Sequence, residues 1–291
     1  LDAWASSVLG IGEAPSHEAT VSTEPLDLSP LTAAILKREA ICALVIDGGG
    51  REQLEARIEA VATRLRHRGT YPAGVVASWH RARATRQALA WWDVLDAAGG
   101  VSDPTALAVG RARESAEIRE LLPPLVLPTG DEALEVHGAF PLAAADGATL
   151  VYFQNRDGLA GARLLRGLVD HCLLAASERV SGERAHLLFV GPKKYRRVEL
   201  TTLETDEARA ALAVLAADLF AGPHAYHLPG ESIADNHLAG RALADRLAQR
   251  RKLPLWGVVP RRPDDFSLPD EADDIIARRY QPLLSIAREV D

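Results

Sequence analysis

Five consecutive residues, Lys193-Lys194-Tyr195-Arg196-Arg197, put four cations and one aromatic ring directly after Gly191-Pro192. Cations neutralise backbone phosphates and an exposed ring stacks on a base, so this set is suited to gripping a nucleic acid at a turn. A soluble basic turn is the competing reading. A second basic stretch, residues 51–86, holds eight arginines against Glu52, Glu55 and Glu59. Within it Arg81, Arg83 and Arg86 share a helical segment with Trp79, Trp91 and Trp92. Arginine beside aromatic rings again fits phosphate and base contact. The alternative is a solvated helix face laced with ion pairs such as Arg51–Glu55 or Glu59–Arg64. His224, His227 and His237 are spaced by three and ten with no cysteine near them. Zinc ligands follow other spacings, so these histidines read as packing or capping residues. Gly48-Gly49-Gly50 lacks the spacing and the Lys-Ser/Thr of a P-loop and reads as the end of a helix.

The stretch around which the chain is organised is residues 137–155, HGAFPLAAADGATLVYFQN. It reads as a β-hairpin with strands over 136–142 and 149–154, because Asp146-Gly147 supplies the positive φ of a tight turn. Its frame resembles the core of the RecB-type PD-(D/E)xK nucleases. Those carry Gly-x-Ile-Asp on one strand, an Asp-Gly turn, then two hydrophobic residues and Asp-Tyr-Lys. Here the frame reads Gly138-Ala139-Phe140-Pro141 and Leu150-Val151-Tyr152-Phe153-Gln154. The resemblance implies two carboxylates on Mg²⁺ and a lysine that orients water; Pro141, Tyr152 and Gln154 stand in those three places. Mg²⁺ takes oxygen ligands, carboxylates among them, and would generate the attacking hydroxide. None of the three residues supplies an anionic ligand. The expectation is a nuclease-like fold with no catalytic residues, no metal and no cofactor in this chain. Asp131, Glu132, Glu135 and Asp157 keep an alternative open, an active Mg²⁺-dependent nuclease with relocated acids. Gly167 and His171 fall where active relatives carry Gln-xxx-Tyr, and His171 reads as a buried, hydrogen-bonded structural residue.

Elements must hold these residues. Helical spacing of apolar residues predicts Pro30–Ile46, then residues 51–68 ended by Gly69, then 75–97. Residues 3–10 read as the tail of a helix and 12–29 as a loop. Gly99-Gly100 and Asp103-Pro104 close this helical region. Strands follow over 121–127 and 133–136, then the hairpin, a helix over 159–177, and strands over 186–190 and 197–201. Helices are expected over 206–221, capped by Thr205 or Asp206, over 231–251, and over 270–290. Proline and tryptophan mark 253–269 as an irregular arm. The fold class is α/β, a degenerate PD-(D/E)xK nuclease-like core of mixed sheet and flanking helices. The expected division is a helical region over 1–100 and the α/β domain with C-terminal helices over 101–291.

The order of these segments resembles the C-terminal region of the RecC family, the gamma subunits of exodeoxyribonuclease V, over nearly the whole chain. The matching pieces are LDAWASSVLGIG, EPLDLSPLTAAILKREAI, ATRLRHRGTYPAGVVA, the hairpin, LLRGLVDHCLLAA, HLLFVG, VELTTLETDEARAALAVLAADLFAGP and IIARRYQPLL. Family members carry Leu-Pro-Phe-Phe-Pro where this chain has His227-Leu228-Pro229-Gly230, which weakens any contact role for that loop. The resemblance implies a non-catalytic part of an ATP-driven helicase–nuclease (RecBCD complex) acting in DNA repair and recombination. It implies RecB-like and RecD-like motor subunits as partners, double-stranded DNA ends and single strands as ligands, and Mg²⁺ and ATP only in the partner subunits. A cytoplasmic location follows from the same resemblance.

Composition fits this reading. Of 291 residues 47% are hydrophobic and 25% charged, as in soluble globular proteins. No apolar run of about 18 residues predicts a membrane span, and no signal peptide is read. The absence of methionine leads to the expectation of a piece of a longer protein. Cys42 and Cys172 sit in apolar helical patterns, read as buried small hydrophobes in a reducing compartment. A net charge of −7 excludes a uniformly basic DNA-binding domain, so contact must come from a local patch. The same charge keeps a pure protein-binding adaptor open as a third reading.

Overall fold

The computed structural model describes residues 27–111, 118–129, 132–220, 228, 230–245 and 270–290. The sequence readings on residues 3–10, on most of 12–29, on Asp131, on His224 and His227, and on 253–269 lie outside these residues. The chain forms two compact units; their described parts lie within residues 27–41 with 52–88, and within residues 42–51 with 89–290.

The first unit is helical. Helix α1, Pro30–Ile46, starts where Ser29 Oγ accepts the amide of Thr32 at 3.0 Å, with Pro30 in the first turn. It ends as expected at Gly48, whose φ of 65° lets Gly49 N–H reach back to Leu44 O at 2.9 Å. Helix α2, Leu54–His67, follows a 3₁₀ turn at Arg51–Gln53, and helix α3 spans Gly74–Ala97. Leu54, Ile58, Val61, Ala62 and Leu65 of α2 are buried, with Leu36, Ala40 and Ile41 of α1 and Ala77, Ala84 and Ala88 of α3. The expected ion pairs differ. Arg64 pairs with Glu39 and Arg81 with Glu59, while Arg51, in the second unit, pairs with Asp93 at 2.8 Å. The partners come from neighbouring helices because burial of the apolar stripe brings those helices together, and each arginine finds the acid they present.

The second unit is α/β, with a mixed seven-stranded sheet flanked by helices. Its strands are β1 (Pro104–Val109), β2 (Glu120–Leu122), β5 (Gly138–Ala144), β6 (Thr149–Phe153), β7 (Arg184–Val190), β8 (Tyr195–Thr201) and β9 (Ala287–Val290). They lie in the order β2-β1-β5-β6-β7-β8-β9, and β3 (Leu125–Thr129) and β4 (Glu132–Val136) form a separate antiparallel pair. Strands β1, β5 and β6 are successively antiparallel. Helix α4, Gly161–Ala176, then crosses over to β7, which lies parallel to β6. Leu187 and Phe189 face α4, since a Cβ on Gly167 would lie 2.6 Å and 3.4 Å from their side chains. Residues of the other parity face away, and Phe153 meets Trp91 of α3 there.

Helix α5, Thr205–Phe220, finishes α4: Arg209 Nε donates to Ala176 O at 3.2 Å, satisfying a carbonyl at the helix end. Helices α6 (Gly230–Leu238), α7 (Ala272–Arg279) and α8 (Gln281–Ser285) complete the unit, and Asp218 of α5 accepts from both Arg278 and Arg279 of α7. The apolar core gathers Leu107, Phe140, Leu150, Leu168, Leu187 and Phe189 with Leu212 and Ile276. Cys42 and Cys172 are buried thiols outside any disulfide, and burial pushes the Cys172 thiol up to about 12. Among the described residues no helix is long and apolar enough to cross a membrane.

Several elements depart from expectation. Strand β1 was hidden behind Pro104 and three small residues. The strand expected over 121–127 is two, broken by Pro123-Pro124, which cannot donate to a ladder. Helix α6 stops at Leu238, with Gly240 at φ 63°. The helix expected over 270–290 is two short helices and a strand: Pro282 opens α8, and 287–290 pair with β8. Thr205 is the first residue of α5 rather than its cap; Glu204 precedes it, donating its N–H to Glu207 Oε2 at 3.3 Å.

Candidate functional site

The hairpin turns where the sequence places it. Gly147 has φ 72° and donates to Ala144 O, and Asp146 Oδ1 accepts the amide of Ala148 at 2.9 Å. Pro141 lies in a bulge of β5: Pro141 and Leu142 stand against Ala106 alone, between the pairs Phe140–Leu107 and Ala143–Thr105. Toward β6 the pairing is Ala143 with Leu150, and Pro141, exposed to solvent, has no N–H to extend it. A residue chosen for this bulge brings no oxygen anion.

Tyr152 lies on the α4 face of β6, its ring stacked on Phe189 at 5.2 Å. Its hydroxyl donates to Asp170 Oδ2 of α4 at 2.9 Å, and Arg166 pairs with the same oxygen at 3.4 Å. Burial, and then the charge of Asp170, push the phenol well above its ordinary range, so Tyr152 stays neutral. Burial also raises the Asp170 carboxyl, against the pull of Arg166 and Tyr152. Gln154 is buried. Its backbone N–H donates to Val190 O and its Nε2 to Gly158 O, both at 2.9 Å, while Oε1 accepts from Arg163. Tyr152 and Gln154 are thus spent on protein partners, and the Pro141 ring supplies no ligand atom. They do not fit a divalent cation. Among the described residues, no group of three or more His, Cys, Asp or Glu is placed to hold one. Of the other acids, Asp157 accepts two backbone amides, and Glu135 lies 3.6 Å from His137 on the surface.

His171 is 1% exposed, as expected, but its Nε2 has no hydrogen-bond partner. Burial lowers it to about 4 and holds it neutral. The expected hydrogen bond is missing because α4 turns this face to the apolar core. His237 lies on α6.

The basic pentad forms the tip of the β7–β8 hairpin and the start of β8. Lys193, Lys194 and Tyr195 are exposed, the tyrosine to 38%. Arg196 and Arg197 are half-buried, and Arg197 donates to Ala98 O at 2.8 Å, at the C-terminal end of α3 where a cation is favourable. The pentad is therefore a presenting group of two lysines and a ring, with Arg197 turned to a structural bond. In the first unit, Trp79 is 53% exposed with the Arg83 guanidinium 5.4 Å from its ring centre. Arg86 is exposed, and Arg81 is held by Glu59 and by Ser78 Oγ. Trp91 is not part of this surface; it is buried in the second unit.

Sequence reasoning missed Asp170 and Asp235, and it took Asp157 as an acid of a relocated nuclease site rather than as a partner of the 191–194 turn. Asp170 stands beside His171 on α4, and Asp157 precedes Gly158 in the loop after β6. Neither spacing points to its partner, because each partner arrives through the sheet order.

No protein-family model matches the chain, and no curated protein matches it.

Proposed function

We propose that this chain is a non-catalytic, nucleic-acid-handling part of an ATP-dependent helicase–nuclease of the exodeoxyribonuclease V type. In this reading it takes the place of a RecC-like gamma subunit in the cytoplasm, in double-strand break repair and recombination. It holds RecB-like and RecD-like motors and routes separated strands, while Mg²⁺ and ATP chemistry stay with those partners. The observation that carries the reading is one combination. The hairpin β5–β6 is followed by the crossover helix α4 and the parallel strand β7, as a nuclease-like core needs. Yet Pro141, Tyr152 and Gln154 fill its two carboxylate positions and its lysine position, and the latter two hydrogen-bond within the protein, to Asp170 and to Gly158 and Arg163. The hairpin tip beside this core offers Lys193, Lys194 and Tyr195 for backbone and base contact.

The test is anisotropy of a fluorescent forked duplex with the purified chain and Mg²⁺, the same sample then being run on a denaturing gel. Binding that weakens with salt, with the DNA intact, is the expected result. Cleavage would overturn the non-catalytic reading, and absence of binding at low salt would overturn the nucleic-acid role in favour of a protein adaptor.

A further inference from the structure

We infer that Asp157 is a positioning residue for the basic hairpin tip: its carboxylate braces the 191–194 turn so that Lys193, Lys194 and Tyr195 meet a nucleic-acid backbone as one preset group. This rests on the nucleic-acid reading of the tip given above. Asp157 Oδ1 accepts two consecutive amides, Lys193 N–H at 3.0 Å and Lys194 N–H at 3.1 Å. The turn also closes on itself through Gly191 N–H to Lys194 O at 2.9 Å. Hydrogen bonds from amides to an ionised carboxylate are stronger than neutral ones, so the pair holds the tip in one shape.

Gly191 serves this contact. It is buried, it has no positive φ, and a Cβ on it would lie 2.5 Å from Asp157 Oδ1. Glycine stands here because the carboxylate comes so close, not because the turn needs the left-handed region. The loop that carries Asp157 is itself anchored: Gln154 holds Val190 through its backbone and Gly158 through its side chain. A continuous run of bonds thus leads from the end of β6 to the tip, through the residue that stands in the lysine position of the nuclease frame.

Simple charge counting gives the opposite sign. A carboxylate beside two lysines repels phosphate, so on that ground alone its removal strengthens binding. A brace that presets the tip makes removal weaken it, because the ordering must then occur on binding. Three variants of the full chain separate the two: Asp157→Ala, Asp157→Asn and Gly191→Ala. Asn keeps an acceptor and loses the charge; Gly191→Ala keeps the charge and drives the carboxylate off the turn.

Forked-duplex affinity and amide exchange by NMR are measured on each. Expected are a three-fold or greater loss of affinity in Asp157→Ala and Gly191→Ala, and wild-type or tighter binding in Asp157→Asn. The Lys193 and Lys194 amides should exchange faster in the two weakened variants, while sheet amides such as Leu187 keep their protection. Tighter binding by Asp157→Ala, or unchanged exchange at Lys193 and Lys194, would overturn the inference. Faster exchange in proteins that never bind the duplex, wild type included, would support the brace and overturn the nucleic-acid reading instead.

Discussion

Trp91 donates its indole N–H to the backbone carbonyl of Gln154 across 2.8 Å. The indole is 2% exposed and tilts over Phe153 with ring centres 5.2 Å apart. The bond ties the last turns of α3 to the end of β6, while the Gln154 side chain reaches Gly158 and Arg163. Gln154 is held by backbone and side chain at once, so it is a structural joint between α3, β6 and the loop that follows. Trp91→Phe leaves this carbonyl without its donor and removes buried volume. A cost of about 2–4 kcal/mol follows from the lost bond and the cavity together. Urea unfolding of the full chain measures it; a change below roughly 0.5 kcal/mol would mean the bond is replaced by water.

His171 makes stability depend on pH. Burial lowers it to about 4 from an ordinary 6.5, so the folded state disfavours the proton that the unfolded state takes up. A base with a depressed folded value contributes no penalty above pH 6.5; stability is then lost as pH falls through the window from 6.5 toward 4. At pH 5 the loss from this group is about 2 kcal/mol. His171→Leu removes the titration and the unpartnered Nε2. The wild-type chain should lose this much more stability than the variant between pH 7.5 and pH 5, by urea unfolding at both values. Parallel losses would show that His171 protonates without cost.

The regular helices were legible because both signals of a helix are local. Pro30–Ile46 has Ser29 and Pro30 at its start and Gly48 at its end, within a few residues of the apolar stripe. The Asp146-Gly147 turn was legible for the same reason. Strand β1 was not, because Pro104-Thr105-Ala106-Leu107-Ala108-Val109 becomes a strand only by lying between β2 and β5. The strand at 287–290 is likewise made by β8, which offers it an edge. At the site, Tyr152, Gln154 and the lysines of the hairpin tip were named from the sequence, and the lysines are exposed. Asp157, Asp170 and Trp91 were not named as their partners, since 36, 18 and 63 residues separate the bonded pairs.

The exposed lysines should carry the salt dependence of binding. Lys193→Glu with Lys194→Glu reverses two charges at the tip without touching a buried group. Each phosphate contact contributes about 0.9 to the slope of log affinity against log salt, so the double variant should bind a forked duplex at least ten-fold more weakly with a slope lower by about 2. Arg81→Ala is the comparison. Arg81 is already paired with Glu59, and exposed pairs of this kind are worth about 0–1 kcal/mol of stability. Equal losses of affinity in the two variants would remove the tip's special role.

Gly161 tests how α4 is seated. Ala160 at its N-terminus offers no side-chain acceptor, and Asp235 of α6 supplies one, taking the Gly161 N–H at 2.7 Å. That contact brings the helices so close that a Cβ on Gly161 would lie 2.1 Å from Glu231 O and 2.7 Å from the amide nitrogen of Asp235. Backbone atoms cannot swing aside as a side chain can, so Gly161→Ala must push α6 away. The cost should be about 1–3 kcal/mol despite alanine's better helix propensity. Asp235→Ala removes the capping acceptor and should cost about 0.5–2 kcal/mol. If both act through the one contact between α4 and α6, the double variant costs less than the two together, because the first change already lifts α6 off. Additive costs by urea unfolding would mean that Asp235 and Gly161 support α4 separately.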